Sequence, residues 1–156
     1  MTARLKPGTT YDWRCRMGKV NLGRVLIGGL LAGLIINIGE FILNGVLLAE
    51  QMNAAMAALN RPPVDAGMIV WFVLFGFGLG FMLVWVYAAI RPRFGPRIQT
   101  AICASAVVWG LSYLYPNLFM IIVGLFPRGM MVTVTIWGLV ELVVAGIAGA
   151  WAYTEA

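Results

Sequence analysis

Residues 29–45 read Gly29-Leu30-Leu31-Ala32-Gly33-Leu34-Ile35-Ile36-Asn37-Ile38-Gly39-Glu40-Phe41-Ile42-Leu43-Asn44-Gly45, an apolar run whose only polar side chains are two amides and one carboxyl. The apolar character extends over residues 25–48. At about 1.5 Å per residue such a helix reaches about 36 Å, which crosses a hydrocarbon core of about 30 Å with some tilt. Three later stretches, residues 66–90, 98–125 and 130–153, have the same length class and character. Of the 156 residues, 62% are apolar and only 11% charged, whereas soluble domains carry about 25% charge. The sequence therefore predicts an all-α integral membrane protein, for which the bilayer replaces the large buried core of a soluble fold.

The breaks between the runs support four spans. Asn60-Arg61-Pro62-Pro63 ends the first, and Asp65 is placed to cap the second. Residues 91–97, Arg91-Pro92-Arg93-Phe94-Gly95-Pro96-Arg97, read as a loop, with Pro96 near the first turn of span three, where a missing N–H costs nothing. Pro127-Arg128-Gly129 forms the last short turn. Short connections favour an antiparallel, up-down four-helix bundle. Residues 1–24 form a basic segment before it and residues 154–156 a short tail.

Basic residues set the expected orientation, because positive loops stay on the cytoplasmic side. Arg4, Lys6, Arg14, Arg16, Lys19 and Arg24 precede span one, and Arg91, Arg93 and Arg97 follow span two; only Arg61 and Arg128 belong to the opposite side. Both termini are expected to be cytoplasmic, in a multi-pass membrane protein. Arg14, Arg16, Lys19, Arg24, Arg91, Arg93 and Arg97 then face anionic lipid headgroups, and nucleic acid is not an expected partner. Tyr11, Trp13, Trp85, Tyr87, Trp151 and Tyr153 are expected as an aromatic belt at that face. A cleaved secretory signal is disfavoured, since the first apolar run far exceeds a signal core of about 7–15 residues.

The chain has no histidine, which excludes His-ligated haem, the common zinc sites and His-based acid–base catalysis. No cofactor and no metal-ligand spacing is expected. Cys15 and Cys103 are expected to stay reduced on the cytoplasmic side. Arg14 and Arg16 flank Cys15 and favour its thiolate, the sharper reading being a reactive or acylated thiol. Trp71, Trp85, Tyr87 and Gly80 recur as Trp137, Trp151, Tyr153 and Gly146 at an offset of 66. That echo is read either as a duplicated hairpin or as interface selection of aromatic residues at fixed depth.

Polar groups inside the spans carry the functional information, because each is costly in hydrocarbon and turns inward. In span one Gly33, Asn37, Glu40 and Asn44, continued by Gln51, lie on one helical stripe. Span four carries Glu141 with Gly138, Ala145 and Gly149 on the same face, which lets a neighbouring helix come close. Span three supplies Ser112, Tyr113 and Asn117 around Pro116, whose ring frees the Ser112 carbonyl. Span two supplies Gly76, Gly78 and Gly80 as packing surface, with a GxxxG spacing from Gly76 to Gly80. No Lys, Arg or His lies inside a predicted span, so Glu40 and Glu141 are expected either to be protonated or to hold a cation. Asn37, Glu40, Asn44, Ser112, Tyr113, Asn117 and Glu141 thus form the candidate interior set. By helical rise Glu40 lies about 5 Å to the outer side of the midplane, Asn117 about 8 Å and Asn44 about 11 Å, which favours an outward-facing polar interior over a continuous pore.

Residues 25–53, with the stretch quoted above at their centre, resemble an uncharacterised family of small four-span bacterial inner-membrane proteins. Ala88-Ala89-Ile90-Arg91-Pro92-Arg93-Phe94-Gly95-Pro96 and Trp137-Gly138-Leu139-Val140-Glu141 resemble its second loop and fourth span. The resemblance implies architecture and carries no activity. Small multidrug transporters and dual-topology fluoride channels share the layout alone, and the charge bias opposes dual topology.

Two functional readings follow, with a third less supported. The first is a non-enzymatic bundle whose polar interior serves packing, assembly or small-ligand binding, with lipid, a second copy or a membrane-complex partner as its contacts. The alternative is a proton- or cation-linked transporter using the intramembrane carboxyls. An enzyme using Glu40 and Glu141 as acid and base is the third, and no nucleophile–base pair or phosphate loop supports it. Sidedness is directly testable: reporters inserted near Pro63 and fused after Ala156 should report opposite compartments, and both reporting one compartment would remove the four-span reading.

Overall fold

The structure, a computed structural model, describes residues 20–153, and within them every regular element is helical. Arg14, Cys15, Arg16 and Lys19, with the earlier aromatic and basic residues and the tail 154–156, lie outside the described residues. Four helices are long and apolar enough to cross a membrane: Leu22–Leu47, Ala66–Phe94, Ile98–Val123 and Arg128–Ala152.

The first span opens at Asn21, whose side chain accepts the Arg24 N–H at 3.2 Å. This satisfies one of the donors a helix N-terminus leaves unpaired. Helix α1 (Leu22–Glu40) runs directly into a π-helical segment, Phe41–Leu47. A separate helix, α2 (Ala49–Ala58), follows. Its alanine-rich composition explains its helicity. The chain turns at Asn60, with φ 54°, before Pro62 and Pro63. Asp65 then caps α3 (Ala66–Phe94) by accepting the Met68 N–H at 2.8 Å.

Helix α3 outlasts the expected span. Residues 91–94 are helical rather than loop, with Pro92 inside the last turn. Pro92 gives up one backbone bond close to the helix end, where the loss interrupts little. The stop comes at Gly95, whose φ of 84° suits glycine and whose N–H reaches the Arg91 carbonyl at 2.7 Å. Helix α4 (Ile98–Trp109) leads into a second π-helical segment, Gly110–Leu114, and then α5 (Tyr115–Val123). Pro116 has no N–H to give the Ser112 carbonyl, and the ladder adjusts here by sending the Tyr115 N–H five residues back to Gly110. Gly124, at φ 73°, ends the span, and α6 (Arg128–Ala152) is the fourth.

Helix α1 packs on α3 and α6, while α4 packs on α6 and α3. Ile36, Leu83, Val84, Leu142, Ala32, Ala104 and Ala145 form the main core, and Leu43, Leu48, Met130 and Met131 a second. Large apolar side chains cover the outer surface, including Phe41, Phe75, Leu111, Ile122 and Val140. A contiguous apolar surface of that kind is the face a bilayer solvates.

Small residues set the distances between spans, since apolar lipid gives little drive for association and packing must supply it. A Cβ on Gly80 would lie 2.6 Å from both the Gly29 carbonyl oxygen and Gly33 Cα, so α1 and α3 meet backbone to backbone. Gly28 and Gly149 do the same for α1 and α6, a Cβ on Gly28 falling 2.7 Å from the Gly149 carbonyl. Gly76 faces Asn37, but Gly78 has open space, so only two of the three span-two glycines are packing surface.

The aromatic belt divides. Trp85 and Trp151 point outward, whereas Tyr87 and Tyr153 are buried. The two tyrosine rings meet edge to face at 6.0 Å, and the Arg91 guanidinium lies 5.4 Å from the Tyr153 ring centre. The Tyr153 hydroxyl accepts the Asn21 N–H at 3.3 Å, tying the start of α1 to the end of α6. Residues two apart differ by about 200° around a helix, which is why each tryptophan faces out and its tyrosine in.

Gly80→Ala should lower stability in detergent by about 1–3 kcal/mol, the usual penalty for overpacking. Gly78→Ala should be neutral or slightly stabilising, because the added methyl meets nothing and alanine favours helix. Thermal unfolding of the two variants checks the contrast.

Candidate functional site

Glu40 ends the α-helical part of span one, between Ile36 of the main core and Leu43 of the second. Its carboxyl receives two donors. Asn44, one turn on, donates through Nδ2 to Oε2 at 2.5 Å, and the Tyr113 hydroxyl of span three donates to Oε1. Tyr113 belongs to the π-helical segment Gly110–Leu114 and Asn44 to the segment Phe41–Leu47. Both irregular segments therefore supply a donor to the same carboxylate, an arrangement in keeping with the frequency of π-bulges at functional positions.

Span four delivers the second carboxyl. Glu141 is only 7% exposed, and its carboxyl approaches the Tyr113 side chain and the backbone at Glu40. It lies close enough to Glu40 and Tyr113 for their charges to act on one another. Two glycines make this possible. A Cβ on Gly39 would sit 2.5 Å from Glu141 Oε1, and one on Gly138 would sit 2.5 Å from the Tyr113 ring. Larger residues at 39 or 138 would displace the carboxyl or the ring, so the two helix faces are cut to fit these side chains.

The remaining candidates separate into structural contacts. Asn37 lies on the same stripe but serves the α1–α3 contact, its Nδ2 donating to the Gly33 carbonyl at 2.8 Å and the Val73 carbonyl at 3.3 Å. Ser112 turns back on its own helix and donates to the Val108 carbonyl at 2.7 Å. Of the amides and hydroxyls in the candidate set, Asn44 and Tyr113 bond to Glu40, and Asn37 and Ser112 bond elsewhere. Adjacent residues differ by about 100° in direction, so Ser112 and Tyr113 cannot both face the carboxyls. Asn117 joins span three to span four instead, donating to the Thr135 hydroxyl at 2.9 Å.

Sequence reading missed several partners. Trp109 donates to the Thr135 carbonyl at 2.8 Å, and buried Ser105 reaches the Leu142 carbonyl at 2.9 Å, with Gly146 opposite its hydroxyl. Thr and Ser in apolar runs give little signal, because either can return its hydroxyl to its own helix. Gly39 was the more readable omission, as a mid-helix glycine beside a carboxyl marks a close approach.

Glu141 and Tyr113 are buried, while Glu40 and Asn44 are half-buried. A cavity of about 570 Å³ lies elsewhere, between α2 and the turn before α6, lined by Gln51, Ala54, Ala55, Ala58 and residues 124–127. A smaller groove of about 240 Å³ is lined by Val25, Phe81, Met82 and Trp85. Neither lining includes Glu40 or Glu141. Among the described residues no group of three or more His, Cys, Asp or Glu could hold a metal. Arg24, Arg93 and Arg97 are exposed, Arg91 is half-buried against Tyr153, and Cys103 is an exposed free thiol.

No family model, curated protein or solved structure matches the chain. Fold and site together define a helical protein apolar enough for multiple membrane passes, with two acidic side chains meeting inside it.

Gly39→Ala should destabilise the protein, and Glu141→Ala should relieve most of that effect. A double-mutant cycle on thermal or denaturant unfolding should give a coupling of at least about 1 kcal/mol, as expected for residues in direct contact.

Proposed function

We propose that the protein is a non-enzymatic multi-pass membrane bundle whose interior Glu40–Glu141 pair holds a proton. The observation that carries this reading is the burial of Glu141 beside a Glu40 that already receives two donors. An ionised carboxylate accepts and a neutral carboxyl needs no counter-charge. The proton is therefore a property of the pair as a whole. Two like charges at such range do not both persist in an apolar interior. Neither of the two cavities is lined by the pair, which supports a proton-sized occupant over a larger organic ligand or an enzyme substrate.

The same proposal covers the setting. Antiparallel up-down spans are supported by the bond between Asn21 and Tyr153, which joins the first and last helices at opposite chain ends, and by the short connections. The basic residues support cytoplasmic termini, and exposed Arg24, Arg93 and Arg97 support contact with anionic headgroups, in what we take to be a bacterial inner membrane. The family resemblance of residues 25–53 fits this setting.

Proton- or cation-linked transport is the second reading, and the π-helical segments favour it. Both donors to Glu40 sit on irregular backbone that can change its hydrogen-bond register. Loss of Asn44 or Tyr113 from Glu40 would then alter proton affinity as the helices move.

Infrared difference spectroscopy tests the shared reading without needing access to the site. At neutral pH the wild type should show the carbonyl stretch of a protonated carboxyl that is missing from Glu141→Gln, while the variant stays folded because the amide is neutral and nearly isosteric. Absence of that band from the wild type would overturn the proposal. For the transport reading, Glu40→Gln should abolish proton-linked flux in vesicles at unchanged expression.

A further inference from the structure

The two apolar cores differ in how firmly they are held. Toward the Asn21 end of α1 the main core is closed by backbone contact, since a Cβ on Gly28 or Gly80 would collide with main-chain atoms of the helix opposite, and Leu83 and Val84 are fully buried beside them. The second core consists of Leu43, Leu48, Met130 and Met131, with Met52 and Met120 packed against it. Its supports are weaker. Leu43 lies in the π-helical segment, Leu48 at the bend before α2, and α5, which carries Met120, buries none of its residues. Unbranched thioether side chains also repack at little cost.

This second core stands between the acid pair and the cavity of about 570 Å³ beside α2. Phe126 lines the cavity and packs on the core. From there Met130, Val134, Trp137 and Glu141 follow one another along a single face of α6. On span one, Leu43 lies one turn beyond Glu40. The cavity opens to the exterior, with Gln51, Ala54, Ala58, Gly124 and Pro127 exposed at its rim. Trp137, one turn from Glu141, buries its Nε1 with no hydrogen-bond partner among the described residues. An orphaned donor in an apolar core is rare, and an ordered water commonly satisfies it. This one sits where water from the cavity would next reach Glu141.

We propose that the acid pair exchanges its proton with water from the cavity beside α2, through an opening of the methionine core, and that the Trp137 N–H holds the water that completes the path. This rests on the proton-holding reading above. The lipid-facing sides of the bundle offer no water, and main-chain contact closes the Asn21 end, so the α2 end is the entrance. In the exchange a carboxyl O–H bond breaks as water supplies a new one, and no net charge is left behind. Trp137 is a positioning residue, which orients the water without giving up its own proton.

The test places the full chain in liposomes, transfers it to heavy water, and follows the protonated-carboxyl carbonyl band, identified by its loss in Glu141→Gln, as deuteration shifts it. Met130→Ala, which thins the second core, should speed the shift about tenfold. Leu83→Ala, which opens a void of similar size in the main core, should change it less than about twofold. Trp137→Phe added to Met130→Ala keeps an aromatic ring without the donor and should slow exchange about threefold relative to Met130→Ala alone, whereas a purely packing role would leave the rate unchanged or raise it. A bulky methanethiosulfonate on Ala54→Cys, in a chain carrying Cys15→Ser and Cys103→Ser, fills the cavity without touching either core and should slow exchange until reductant removes it. Equal acceleration by Leu83→Ala, or no effect from the adduct, would overturn the path while leaving the band and the proton reading in place. An unchanged rate on adding Trp137→Phe would overturn the role of the indole. A wild type lacking the protonated band removes the proton reading and this inference with it.

Discussion

The hydrogen bond from Tyr113 to Glu40 joins spans one and three around a carboxyl that also receives Asn44, and the interior is organised by that contact. An ionised group in hydrocarbon needs donors, and here they come from two helices, with the second carboxyl brought from a third. The arrangement requires the helices to approach more closely than ordinary side chains allow. Gly39 and Gly138 supply that room at the cluster, and Gly28, Gly29, Gly33, Gly80 and Gly149 supply it toward the Asn21 end of α1. Packing and electrostatics are therefore one design: the glycines bring the backbones together, and the polar groups give the close contact a unique register.

The other polar groups follow a different rule. Asn37, Ser105 and Trp109 each donate to a backbone carbonyl of a neighbouring helix. Such bonds link spans without charge, and membrane measurements put comparable contacts at about 0.6 kcal/mol on average. They act as alignment devices. The cluster at Glu40 differs because it concentrates acidity and recruits both stretches of irregular helix.

The spans were legible in the sequence because the bilayer demands about twenty apolar residues and little else can meet that demand. Their ends were less so. Arg91, Pro92 and Arg93 carry the composition of a loop, yet α3 continues through them because Gly95 provides the stop. Helix α2 went unread since Ala49–Ala58 is neither apolar enough to span nor polar enough to stand apart. At the site, the i to i+4 spacing of Glu40 and Asn44 was visible, and Glu141 with its small-residue face was visible too. Choosing Tyr113 over Ser112 was not, because that choice depends on the rotational phase set by the π-helical turn before Pro116. The Trp–Tyr echo has a physical counterpart in outward tryptophans and inward tyrosines, but Trp71 is exposed and Trp137 half-buried, so the likeness is strongest at the Tyr87–Tyr153 contact.

A π-helical turn holds one residue more than the α-helical turn it replaces, so it carries the mark of a single-residue insertion. Removing one residue between Glu40 and Asn44 would let the ladder close as ordinary α-helix with what lies on either side kept in place, and would shorten the Glu40–Asn44 spacing from four residues to three. The pairing of that amide with the carboxyl would then change while the core at Leu48, Met130 and Met131 keeps its place. Chains of common descent that lack the cluster are thus expected to be one residue shorter at this point, their first span carrying an uninterrupted apolar face where this one carries an acid.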